Sequence, residues 1–348
     1  MARRLRFALG FGLGLGLCWL ALRGLDPAHV WAELRSAEPL WLCLAFALCW
    51  SGYRLRALRW RWLLAGAAGN APRDPFGILM LGYFLNNVLP ARAGELARVA
   101  LMQKQHGVPA AGTLATLFAE RIIDGVVLAA IGWWAIERAL QLDLPWLRSL
   151  SLLFAALFVL LLIAASQQAR IVRWIETHQG GLARRVPAVL RRHLGTSFQH
   201  LQAIAGVGGM ARVLGITLLV WSLEAGMYYG VARAFDVTLS GPALAGFVAV
   251  VNFASLAPTP GGLGAVELAG VSLLVQCGLA KPTAFAVVSA QHALQYLLCA
   301  VFGLWFMPRL GLWRRSYAPR REAATALSAI ARQSWLASGK APASTGEK

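Results

Sequence analysis

Residues 149–166 run for eighteen positions without a charged side chain. Coiled into a helix rising 1.5 Å per residue, such a run comes close to the ~20 residues that cross the hydrocarbon of a bilayer. Hydrocarbon offers no partner to backbone amides, so a spanning segment must satisfy them within itself, as a helix does. Residues 213–231 have similar length and apolar character. The rest of the chain agrees. Of its 348 residues 58% are hydrophobic and 14% charged, with a mean hydropathy of +0.59, against the roughly 25% charge of soluble domains. The sequence therefore predicts an all-α, polytopic helical membrane protein.

Full spans are expected near residues 6–22, 40–55, 113–135, 149–166, 213–232 and 283–307. A formal net charge of +18 is gathered between them. Arg54, Arg56, Arg59 and Arg61 form one cluster, Arg170, Arg173, Arg184, Arg185, Arg191 and Arg192 another, and Arg309, Arg314, Arg315, Arg320 and Arg321 a third. Cytoplasmic loops carry the Lys/Arg excess, and with both termini inside, each cluster falls on that face. Residues 1–310 then form the transmembrane domain, with a cytoplasmic basic loop at 167–212 and a disordered basic tail at 311–348. Topology and anionic headgroups account for the charge, so nucleic acid is not an expected partner. The five cysteines all sit in apolar runs without metal-ligand spacing, and no metal or cofactor is expected. The basic start and the apolar run at 7–22 resemble a signal peptide without a convincing cleavage site, and read as an uncleaved first span.

Two segments break the pattern. Residues 76–89 and 95–105 flank one proline-glycine break, and 242–257 and 263–278 flank another. Each arm is too short for an upright crossing, so each pair predicts a re-entrant hairpin. The order span, broken hairpin, span occurs twice, near 40–135 and 213–307, with the hairpins entering from opposite faces. That arrangement is an inverted repeat, in which interrupted helices meet near the midplane to form a site.

The breaks carry the candidate site residues. The first holds Asn87, Pro90, Arg92, Gly94, Glu95 and Arg98; the second holds Pro258, Pro260, Gly261, Gly262, Gly264 and Glu267. A half-helix starting near Gly94 turns its N-terminal amides toward the break, where Arg92 adds a cation, so an anionic phosphate is the natural occupant. Glu120, Arg121 and Asp124 open the third span. The two carboxylates share a helical face and need a cation between them; Arg121 is placed to reach Asp124, and Arg92 or Arg98 to pair with Glu120. Glu224 stands alone in the fifth span, with no basic residue within nine positions. Ionisable groups at such depth face the interior or a pathway. His292, beside Gln291 and Gln295 on the last span, reads as polar lining. No nucleophile set or metalloprotease motif is present.

These motifs, N-N-x-L-P-x-R-x-G-E-x-x-R at 86–98, E-R-x-x-D at 120–124 and P-x-P-G-G-x-G-x-x-E at 258–267, resemble the lysylphosphatidylglycerol synthase transmembrane-region family of flippase-like bacterial and archaeal membrane proteins. The likeness covers about residues 5–310. It implies a lipid-handling role, such as moving aminoacylated phospholipids or related amphiphiles between leaflets. Related proteins also sit in hopanoid and polyisoprenoid-linked sugar pathways. The family often carries arginine where this chain has His292, and no synthase domain follows the last span, so synthesis of the aminoacylated lipid is not expected.

The expectation is a non-enzymatic protein of the bacterial inner membrane, both termini cytoplasmic, that binds or translocates a lipid. Arg92, Arg98 and Arg121 would hold the anionic headgroup, while Glu95, Glu120, Asp124 and Glu224 balance charge or bind an amine. The alternatives are a membrane-embedded transferase acting on a lipid-linked substrate and an accessory scaffold partnered with a biosynthetic enzyme.

Overall fold

A computed structural model describes residues 2–68, 74–89, 92–167, 169–170, 173, 204 and 206–311. Pro90, most of the basic loop at 167–212 and nearly all of the tail at 311–348 lie outside these. Among the described residues there are eleven α-helices and no strand.

Helix α1, Ala2–Leu22, turns by 89° into the short α2, Pro27–Arg35. Asp26 fixes that corner: its carboxylate accepts from the amide of Ala28 at 2.9 Å, with Pro27 supplying the first helical residue, an arrangement that starts a helix by satisfying an otherwise orphaned amide. Helix α3 is Pro39–Ala68, thirty residues and about 45 Å long. Helices α4, Phe76–Val88, and α5, Ala93–His106, form the first hairpin. Gly107, at φ 67°, ends α5, and its amide bonds back to the Gln103 carbonyl. Helix α6, Ala110–Trp133, finishes in a π-helical turn at Trp134–Ala139, and α7, Pro145–Ser166, follows. Helix α8 is Val207–Ala234. The second hairpin consists of α9, Gly241–Ala254, a 3-10 turn at Pro260–Gly262, and α10, Ala265–Gln276. Helix α11, Lys281–Phe306, completes the set. Each hairpin arm lies within a few residues of the expected one.

Polarity is distributed as lipid demands. Leu152, Val159 and Leu160 of α7, Leu218 and Leu219 of α8, and Leu297, Val301 and Leu304 of α11 are exposed, whereas Arg59, Arg98, Glu120 and Asp124 are buried. Helices α7, α8 and α11 are long and apolar enough to cross a membrane. Helices α3 and α6 have the length, at 30 and 24 residues, and carry the buried charges. This is a multi-pass membrane protein.

The centre is made by α3 lying along α8. Helix α4 packs on α11 and α9 on α6, so each hairpin leans on a long helix from the other half of the chain. The neighbour pattern is unchanged when α3, α4, α5 and α6 are exchanged for α8, α9, α10 and α11. Within the first hairpin the arms nearly touch. A methyl on Gly94 would collide with the Gly82 carbonyl, and one on Gly82 with the Arg98 side chain.

One expectation changes here. The arginines at 54–61 read as a loop cluster that ends the second span, yet α3 continues through them to Ala68. Ala57, Trp60, Leu63 and Leu64 recur at helical spacing and are buried, which carries the helix on. Arg56 and Arg59 share that inward side, and only Arg54 and Arg61 remain outside.

Candidate functional site

The interior charges form two groups, a buried one around Arg59 and a partly exposed one around Glu95. Arg59 of α3, fully buried, lays its guanidinium across Asp124 at 2.5 and 2.8 Å. It also donates to Glu120 at 3.1 Å and to the Thr217 hydroxyl at 2.7 Å. Arg98 meets the other oxygen of Glu120 at 3.2 Å and stacks 4.0 Å from the Trp60 ring. Arg56 donates to Glu224 at 2.5 Å, stands 3.7 Å from Asp124 and lies over the Trp221 ring. Arg121 reaches Glu95 at 3.0 Å, and Arg92 stands 3.6 Å from the same carboxylate.

Several pairings differ from those expected. Arg59, rather than Arg121, occupies the space between Glu120 and Asp124, and Arg121 crosses to the first hairpin. The partner of Glu224 is Arg56, 168 positions away in sequence, which no local window reveals. Glu120 is paired by Arg98, one of the two arginines expected to reach it.

A cavity of about 480 Å³ opens beside these groups, between the two breaks. Of the sequence-derived candidates, Asn87, Arg92, Arg121, Asp124, Glu224, Pro258, Gly261 and His292 line it. Gly94, Glu95, Arg98, Glu120, Pro260, Gly262, Gly264 and Glu267 stand outside the lining and position those that do; Pro90 lies outside the described residues. Gly94 donates its amide to Asn86 at 2.8 Å. Arg92 adopts the left-handed region at φ 53°, a conformation that costs a residue with a Cβ about 1–2 kcal/mol, and its guanidinium comes within 3.5 Å of the Ser255 carbonyl. The first break thus touches the end of α9. Asn252, Gln295, Tyr53, Tyr83 and Tyr228 complete the polar wall, and the first two donate to Glu224 at 3.4 and 3.0 Å.

The second break is held by His292. Its Nδ1 is 2.6 Å from Glu267 and its Nε2 is 3.2 Å from the Gly261 carbonyl. A carbonyl only accepts, so Nε2 carries a hydrogen, and the short contact to Glu267 requires another on Nδ1 or on the carboxyl. Glu267 also accepts from the Gly264 amide at 2.6 Å, and Tyr296 donates to the Pro260 carbonyl at 2.9 Å.

The two halves place their polar residues at matching positions. Glu120, Arg121 and Asp124 follow Ala110, the first residue of α6, at the same distances as Gln291, His292 and Gln295 follow Lys281, the first of α11. Glu95 and Glu267 are both third in their helices. Arg56 and Glu224 correspond between α3 and α8, and Asn87 and Asn252 between α4 and α9. Arg121–Glu95 and His292–Glu267 are therefore the same contact made twice. The chemistry is unequal: Glu120, Arg121 and Asp124 of the first half are answered by Gln291, His292 and Gln295 in the second. Gln291, the counterpart of Glu120, is buried, and its amide has no hydrogen-bond partner among the described residues.

Arg56 and Arg59 are the residues that sequence reasoning missed. Their three-residue spacing puts them on one helical face, a period that loop arginines have no reason to keep, and that was the available signal.

Comparison with known proteins gives relatives described as membrane proteins. A UPF0104 membrane protein of Methanothermobacter thermautotrophicus is 24% identical over 311 residues, covering 82% of this chain and 90% of that protein. A second UPF0104 membrane protein of that organism is 23% identical over 316 residues, covering 85% and 91%. Glycosyltransferase AglD of Haloferax volcanii is 25% identical over 355 residues, 88% of this chain but 55% of AglD. No solved structure matches. The profile of the lysylphosphatidylglycerol synthase TM region matches residues 7–303, nearly the whole helical bundle, and the chain belongs to that family.

Proposed function

We propose that the protein binds an anionic amphiphile, its phosphate in the cavity between the two breaks, and passes it between the leaflets of the membrane. The carrying observation is a charge count. Among the described residues, Arg56, Arg59 and Arg98 are balanced by Glu120, Asp124 and Glu224, whereas Arg92 and Arg121 share Glu95 alone. One positive charge is left over. It resides with Arg92, whose contacts at 3.5 and 3.6 Å are the loosest of the five. Arg92 lines the cavity with its side chain 35% exposed, so an anion entering there can reach it, and phosphate suits the guanidinium fork. The carboxylates are already occupied by arginine, which argues against an amine as the principal determinant.

The matched positions of the two halves support an inverted repeat with two re-entrant hairpins, and hence access to the cavity from either side in turn. We place the protein in the bacterial inner membrane with both termini cytoplasmic, on the distribution of arginine. The likeness to AglD favours a second reading, in which the bundle presents a lipid-linked substrate to a transferase.

The test is transport of a fluorescent phosphatidylglycerol in reconstituted vesicles. Arg92→Gln removes a charge-assisted contact of about 1.5–3 kcal/mol and is expected to lower transport roughly 10- to 100-fold. Arg92→Lys loses the fork and should also be impaired. Adding Glu95→Gln to Arg92→Gln should not restore activity; full recovery would reduce Arg92 to an ion-pair partner.

A further inference from the structure

A second cavity, of about 440 Å³, lies between α7 and the hairpin of α9 and α10. Its walls are apolar, with Leu150 of α7, Phe253 and Ala254 of α9, and Leu268 and Ala269 of α10 among them. The two polar residues present are satisfied by their own helix. Ser272 donates to the Leu268 carbonyl at 2.6 Å, and Gln276 to the Ser272 carbonyl at 3.2 Å. Nothing here asks for a headgroup or for water.

This groove adjoins the polar cavity. Phe253 and Ala257 belong to the walls of both. Phe253 packs its ring against Phe154 at 5.7 Å between centroids, and Phe154 lines the polar cavity. The junction therefore has small side chains at Ala254 and Ala257 and one aromatic pair, with the surplus charge of Arg92 on one side and a dry groove on the other.

We infer that the groove holds the hydrocarbon chain of the same molecule whose phosphate sits in the polar cavity, so that the amphiphile is bound across the second hairpin, its chain passing Ala257 and lying between α7 and α10. This rests on the proposed function and adds to it the path of the tail. The ligand class becomes an anionic phosphate carried on a molecule with a flexible hydrocarbon chain. In a membrane, apolar burial gives little drive of its own, because lipid tails are as apolar as leucine. Placement of the chain must therefore depend on the anchored head, and that dependence can be measured.

The experiment uses phosphatidylglycerol bearing a photoactivatable diazirine halfway along one acyl chain, in vesicles holding the full-length protein, with adducts mapped by mass spectrometry. Wild type should label Leu150, Leu268 and Leu273 in the groove, together with outward residues such as Leu218 that meet bulk lipid. Arg92→Gln should lower groove labelling at least about tenfold and leave Leu218 unchanged. Ala257→Trp, which plugs the junction without altering a charge, should do the same. Groove labelling that survives both variants would mean the groove holds bulk lipid, and labelling confined to outward faces would place the tail elsewhere. Either result overturns this inference while leaving the proposed function intact if Arg92→Gln still lowers transport. Unchanged labelling together with unchanged transport would overturn both.

Discussion

Arg59 and Arg92 are both arginines beside carboxylates, and their surroundings give them opposite duties. Arg59 is fully buried and shared by Glu120, Asp124 and Thr217. Replacing it with methionine leaves two carboxylates short of a cation where water cannot compensate, a loss of about 3–5 kcal/mol for a broken buried pair. Arg59→Met should therefore lower the melting midpoint and the folded yield in detergent. Arg59→Lys should recover only part, since an ammonium cannot bridge two carboxylates with a planar fork. A midpoint unchanged from wild type would show that the network does not hold the bundle. Glu224 was legible from sequence because it is isolated in an apolar run, and His292 because it stands with Gln291 and Gln295 on an otherwise apolar span. Arg56 and Arg59 were not, because arginines packed with tryptophans look the same at a membrane surface as in a helix turned inward.

At the level of the elements, the hairpins depend on close backbone approach. Gly82 and Gly94 bring α4 and α5 together so closely that neither has room for a methyl. Gly94→Ala must push the arms apart or bend them, and overpacking of this kind costs about 1–3 kcal/mol. Because Glu95 and Arg98 sit on the displaced arm, transport should fall as well. Gly12 in α1 has open space around its Cβ position, and Gly12→Ala serves as the neutral control in the same thermal and transport measurements. Equal effects at the two positions would contradict the packing described. The arms and their breaks could be read from sequence because proline and glycine punctuate them. The length of α3 could not: the apolar count falls at Arg54, while the spacing of Ala57, Trp60 and Leu64 that extends the helix appears only once its inward face is known.

For the whole molecule, the telling relation is between Arg56 and Glu224. They occupy matching places in α3 and α8 and pair with each other at 2.5 Å. Exchanging them by Arg56→Glu with Glu224→Arg keeps the pair while reversing its direction. Each single change should be as damaging as Arg59→Met, and the double exchange should recover at least half of the lost stability, read as the melting midpoint. A double variant no better than the sum of its parts would show that the pair is fixed by its asymmetric neighbours, Asp124 on one side and Gln295 on the other. In the sequence the repeat was legible as an order of elements with a few like residues around the breaks, Asn87 with Asn252 and Glu95 with Glu267. The matches of Arg56 with Glu224 and of Arg121 with His292 emerged once helix starts were fixed, because those residues differ in charge.

The same pair has a mechanical consequence. Two long apolar helices side by side in lipid can slip along each other at small cost, since every exposed leucine trades one hydrocarbon neighbour for another. A salt bridge cannot slip: a one-residue slide moves its ends about 1.5 Å and strips both charges of their partner. Arg56 and Glu224 therefore act as a notch and pawl that index α3 against α8. The centre of the bundle therefore keeps one register, and the hairpins that pair with it take their place from that register.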